Sequence, residues 1–159
     1  MVEFVVQLSN LSKNQPILVV EDSDEDFSSF MRVLNDLEFY PQIFRAYDGD
    51  EALEFLEQFS RKELKGQGDL NRPALILLDL NLPGTDGRDV LAQVKQDKQL
   101  ASIPVVVFTT SSSVKDIKTC YDRGANSYVV KPMGVNALRR TLGELFHYWF
   151  GTSILPEAT

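Results

Sequence analysis

Three apolar runs constrain this chain more than any other feature: Ile17–Val20, Ala74–Leu78 and Ile103–Phe108, the last interrupted only by Pro104 at its entry. Each is of strand length, and none alternates with polar residues. A strand that is half solvated shows a period of two. Unbroken apolarity instead predicts a strand covered on both faces, as in the middle of a parallel sheet. Two weaker runs, Gln42–Ala46 and Ser127–Val130, complete a set of five.

Between the runs the apolar period changes to that of a helix. Phe27, Phe30, Met31, Leu34 and Leu37 fall on one helical face, as do Ala52, Phe55, Leu56 and Phe59, and then Val90, Leu91 and Val94. A fourth helix is expected after Ser113, with Val114, Ile117 and Tyr121 turned inward and Gly124 ending it. Ser23, followed by an acid three residues on, predicts the start of the first helix. Five strands alternating with five helices through short links predict parallel strands joined by right-handed crossovers, a three-layer α/β domain. The expected division is an arm over 1–15, a domain over 16–150 and a tail over 151–159. The longest link, 61–72, is basic and reads as an exposed loop.

Composition narrows the function. At 159 residues, with 43% hydrophobic and 25% charged residues, the chain is one globular domain. A net charge of −7 opposes nucleic acid as a general partner. No run reaches the length of a membrane span, and the N-terminus lacks the basic start of a signal peptide. The single cysteine, Cys120, fits a reducing compartment, so a cytoplasmic location is expected. The single histidine, His147, leaves no room for a multi-histidine metal site.

Four chemical features fall at the carboxyl ends of the expected strands: Glu21-Asp22, Asp79, Thr109 and Lys131. In sheets of this kind ligands bind beyond those ends. Three carboxylates brought together repel one another, and a divalent cation relieves the repulsion. Oxygen-only ligands favour Mg²⁺ over zinc or copper. A carboxylate nucleophile, a metal, a lysine and a hydroxyl form a kit for receiving a phosphoryl group. No Gly-rich phosphate loop follows the first strand, which disfavours a nucleotide- or flavin-binding enzyme.

At these residues the chain resembles the receiver domains of two-component response regulators. The matching motifs are Val19-Val20-Glu21-Asp22, Leu78-Asp79-Leu80-Asn81-Leu82-Pro83-Gly84-Thr85-Asp86-Gly87, Phe108-Thr109 and Tyr128-Val129-Val130-Lys131-Pro132. The resemblance implies a doubly wound, flavodoxin-like sheet of order 2-1-3-4-5 with five helices. It implies a signalling phosphoacceptor, not a conventional enzyme, fed by a sensor histidine kinase. It further implies that Asp79 accepts the phosphoryl group and that Asp22, Asp79 and the Asn81 carbonyl hold Mg²⁺, with Glu21 in support. Lys131 would bind the phosphoryl, and the Lys131–Pro132 bond would be cis. Thr109 and Tyr128 match the family's switch pair. Thr110, where many receivers have alanine, would slow water's access to the phosphoryl group. The alternative is an adaptor of the same fold that works without phosphorylation.

The C-terminal helix is expected from about Val135 to Phe150, with Val135, Leu138, Leu142, Leu145 and Trp149 along one face. Its end is apolar nearly all round, which predicts a homodimer with His147, Tyr148, Trp149 and Phe150 at or near its core. A self-contained aromatic cap is the competing expectation. The long basic loop, the Thr109-Thr110-Ser111 turn and this aromatic extension are similar to response regulators paired with cyanobacterial phytochrome kinases.

Overall fold

A computed structural model describes Leu8 and residues 15–60 and 72–156. The expected loop over 61–72, apart from Arg72, and most of the arm lie outside the described residues. The elements run β1 (Ile17–Val20), α1 (Asp24–Asp36), β2 (Ile43–Ala46), α2 (Gly49–Ser60), β3 (Leu75–Leu78), α3 (Gly87–Gln96), β4 (Val105–Thr109), α4 (Val114–Asp122), β5 (Ser127–Val130) and α5 (Val135–Phe146). The strands form one parallel sheet in the order β2-β1-β3-β4-β5, as expected.

The apolar runs do what their lack of alternation requires. Ile17 and Val19, Leu75 and Leu77, Val106 and Phe108 point into one layer, with α1 and α5. Leu18 and Val20, Ile76 and Leu78, Val105 and Val107 point into the other, with α2, α3 and α4. Period-two side chains serve both layers only if every residue is apolar. The edge strands β2 and β5, covered less completely, tolerate Arg45 and Ser127.

Local signals set the helix ends. Ser23 and Ser113 cap α1 and α4 by accepting from the Asp26 and Asp116 amides, and Gly124 (φ +100°) follows the end of α4. Glu38 closes α1 in a left-handed conformation (φ 54°) that ordinarily favours glycine. The turn lets the Phe39 amide reach the Leu34 carbonyl and drives the Phe39 ring into the core.

Three helix faces differ from expectation, the simplest being α5, where Val135 is exposed and the buried face begins further along, at Leu142, Leu145 and Phe146. In α4, Val114 is 82% exposed and Tyr121 is 49% exposed; the buried residue is Cys120. Cys120 packs in the layer formed with α2 and α3. Tyr121 stays outside and accepts a hydrogen bond from the Tyr128 amide. In α1, Val33 is buried in place of Met31, which stays partly exposed.

The C-terminal helix also departs from a single regular stretch. After Phe146 it widens into a π-helical turn over His147–Thr152. Phe150 thereby turns inward, 5.5 Å from Phe39 and 6.1 Å from Phe146 between ring centroids. Leu8 and Leu155 bury in the same cluster. Phe150 is therefore part of this chain's own core and is removed from the expected dimer surface. Tyr148 stays exposed, with His147 and Trp149 half-buried.

Candidate functional site

The parallel register carries four strand ends to one edge of the sheet. Val20 pairs with Leu78, and the Asp79 amide donates to the Val20 carbonyl, which sets Asp79 beside the Glu21-Asp22 pair. Across the sheet, the Lys131 amide donates to the Thr109 carbonyl at 2.7 Å. Oxygens of Glu21, Asp22 and Asp79 all lie within 4.8 Å of one another. Glu21 and Asp79 are buried, whereas Asp22 faces solvent.

Lys131 is the counter-charge. Its Nζ donates to Glu21 Oε2 at 2.5 Å, Asp26 Oδ2 at 2.9 Å and Asp79 Oδ2 at 3.1 Å, so each ammonium proton has a carboxylate. Burial disfavours its charge, but the Glu21 hydrogen bond and the Asp79 and Asp26 carboxylates outweigh burial and hold the pKa above the usual lysine value. Asp79 Oδ1 accepts from the Leu80 amide at 2.7 Å. Sequence reading missed Asp26. Its place in the first turn of α1 marks it as a helix-start acid, and a contact with Lys131, 105 residues away, has no signature in local spacing.

Gly87 lets the β3–α3 loop close. Its amide donates to the Leu80 carbonyl at 3.0 Å, and a Cβ at this position would lie 2.2 Å from the Asp79 carbonyl oxygen. Asn81 is exposed on that loop. The Thr109 hydroxyl is fully buried and faces the Ser111 amide at 3.5 Å. Tyr128 is half-buried against the α2–α4 layer and donates its phenol to the Ser111 carbonyl at 2.8 Å. Ser111 in turn donates to Asp116, which pairs with Arg88 at the start of α3. All peptide bonds among the described residues are trans, so the expected cis Lys131–Pro132 bond is corrected; the trans bond still delivers Nζ to all three acids.

The donor set fits a hard divalent cation: three clustered carboxylates, with His147 outside the cluster, just after α5, and Cys120 buried in α4. Burial raises the Glu21 pKa above the carboxylate norm, against the hydrogen bond from Lys131. The folded state then holds a proton at a pH where the unfolded chain has released it. This group therefore subtracts stability as pH rises through its raised folded value. Without divalent cation, Glu21→Gln is expected to lose less stability than wild type as pH rises from about pH 4 to about pH 7. Parallel stability curves in urea denaturation would contradict this.

Similarity to known proteins agrees with the geometry. Residues 17–143 match the response regulator receiver domain. A probable methanogenesis regulatory protein, FilR2 of Methanothrix harundinacea, is 39% identical over 88% of this chain and 86% of its own length. Response regulator Rcp1 of Synechocystis is 39% identical over 89% of this chain and 93% of its own. The solved Mn²⁺-bound form of Rcp1 superposes with a TM-score of 0.77, covering 89% of this chain and 99% of that one at 38% identity. The phosphorylated cyanobacterial phytochrome response regulator RcpA does so with 0.79, at 36% identity, over 91% and 99%. That form of Rcp1 carries Mn²⁺, and no described helix of this chain is long and apolar enough to cross a membrane. With its fold, its acid cluster and these relatives in agreement, the chain belongs to the response regulator receiver domain family of two-component signalling.

Proposed function

We propose that this protein receives a phosphoryl group on Asp79 from a phosphohistidine of a sensor histidine kinase in the cytoplasm. The observation that carries this reading is the Asp79 carboxylate itself, buried at the tip of β3 with Lys131 at 3.1 Å and the Glu21 and Asp22 oxygens alongside. An Asp79 oxygen attacks phosphorus, forming a P–O bond as the P–N bond breaks, and the bonding pair leaves on the imidazole nitrogen. Lys131 exchanges a carboxylate partner for a phosphoryl oxygen. Thr109 turns its hydroxyl to donate to another, and Tyr128 follows, giving up the Ser111 carbonyl or tightening on it. Glu21, Asp22, Asp79 and the Asn81 carbonyl would hold Mg²⁺, which when bound neutralises charge on the phosphoryl oxygens. In this way the chain's own side chains assist both the gain and the loss of the phosphoryl group.

The kinase is proposed to be a phytochrome, on the strength of the likeness to RcpA and Rcp1. A second copy of the chain is proposed to meet this one through Tyr148, with His147 and Trp149 beside it. Tyr148→Ser is expected to shift a dimer toward monomer in sedimentation, and an unchanged profile would move the interface elsewhere. The central reading is tested by incubating the protein with Mg²⁺ and acetyl phosphate. A hydroxylamine-sensitive phosphoryl group mapping to the Asp79 peptide is expected; a label that maps to any other peptide would refute it.

A further inference from the structure

Arg45 stands out because the architecture does not need it. It sits in edge strand β2, paired in register with Val19, where an aliphatic residue would fill the same slot. Its guanidinium is instead clamped between two rings, 4.5 Å from the Phe27 centroid and 4.0 Å from the Tyr47 centroid. The side chain is only 11% exposed. Nε donates to the backbone carbonyl of Glu21 at 3.1 Å, and Nη1 pairs with Asp24 at 2.9 Å. Nη2 is the one buried side-chain nitrogen or oxygen among the described residues without a hydrogen-bond partner. A buried donor left unmet is a cost, and Met or Leu between two aromatic rings would avoid it.

What the arginine gains for that cost is a hold on the Glu21–Asp22 peptide. Glu21 already continues the β1–β2 ladder through its amide, which donates to Ala46 at 3.0 Å. Its carboxylate is fixed by Lys131 and by the Ser23 amide. The carbonyl is the remaining handle on the segment, and its orientation sets where the solvent-facing Asp22 carboxylate points. The planar fork, locked by two rings, fixes that carbonyl more tightly than a lysine could.

We infer that Arg45 is a positioning residue of the cation site: by holding the Glu21 carbonyl it aims Asp22 at the cluster formed with Glu21 and Asp79. The inference rests on the reading of that cluster as a divalent-cation site. Groups behind the ligands commonly change metal affinity by about 10- to 100-fold.

The test uses the full chain and Mn²⁺ alone as probe, with free Mn²⁺ followed by electron paramagnetic resonance. Wild type is expected to bind Mn²⁺ and Asp22→Asn to lose it; if wild type binds none, the cation-site reading itself falls, and this inference with it. Arg45→Met keeps the packing, and Arg45→Lys keeps the charge. Both are expected to weaken Mn²⁺ binding about 10-fold while melting cooperatively. Saturating cation should then restore the maximal rate of phosphoryl uptake, a split that a general loss of stability would not produce. Asp24→Asn, which spares the Nε–Glu21 bond, should stay within about twofold of wild type. Mn²⁺ affinity unchanged in either Arg45 variant, or lost equally in Asp24→Asn, would overturn the assignment; should Arg45→Met fail to fold, Arg45→Lys alone decides it.

Discussion

Asp79→Asn is expected to reduce phosphoryl uptake from acetyl phosphate by at least about 10³-fold, because the amide replaces the attacking carboxylate while filling the same space. The loss should be chemical and not structural. The carboxamide oxygen would still accept from the Leu80 amide, and Lys131 would keep Glu21 and Asp26 as partners. The substitution also removes one of three crowded negative charges. The variant should therefore fold cooperatively and show no hydroxylamine-sensitive label. Mass spectrometry with a thermal melt on the same sample reads both halves. A variant labelled at the wild-type rate would remove Asp79 from the chemistry, and a variant that fails to fold would contradict the charge argument.

Gly87→Ala is expected to produce a large loss of stability. The added methyl group would lie 2.2 Å from the Asp79 carbonyl oxygen and 2.7 Å from the Leu80 Cα, and both are backbone atoms. Neither can retreat cheaply. The Asp79 amide is held by Val20, and the Leu80 carbonyl accepts from the amide of Gly87 itself. Overpacking against fixed backbone is expected to cost about 3 kcal/mol. For a domain of this size that lowers the melting temperature by about 6–12 °C. Because the displaced atoms carry the Asp79 carboxylate, phosphoryl uptake by the remaining folded protein should fall as well. A melting temperature within about 2 °C of wild type would show that the loop can open without penalty.

The central strands could be read directly because a strand buried on both faces leaves its mark in consecutive residues. Glu21, Asp79, Thr109 and Lys131 could be read because the ends of parallel strands share one edge, so order along the chain becomes proximity in space. The misses share the opposite property. Asp26 meets Lys131 only because α1 packs against α5, the helix that follows Lys131, which no local pattern encodes. The inward face of α4 was misread because one small residue, Cys120, is buried there, and larger apolar neighbours dominate the periodicity. Phe150 was assigned to a partner because an all-apolar helix end looks unpartnered. The π-helical turn that points its ring at Phe39 depends on backbone widening, which side-chain period does not report.

The sheet's double cover also acts as a partition. Phe39, Phe146, Phe150, Leu8 and Leu155 lie on one side of it, while Cys120, the half-buried Tyr128 and the α2–α4 helices lie on the other. Substitutions on opposite sides share no partner, and such changes combine additively. A substitution at Phe39 or Phe150 and one at Cys120 are therefore expected to change stability independently, so that packing at the C-terminal turn and packing under α4 can each be altered without disturbing the other.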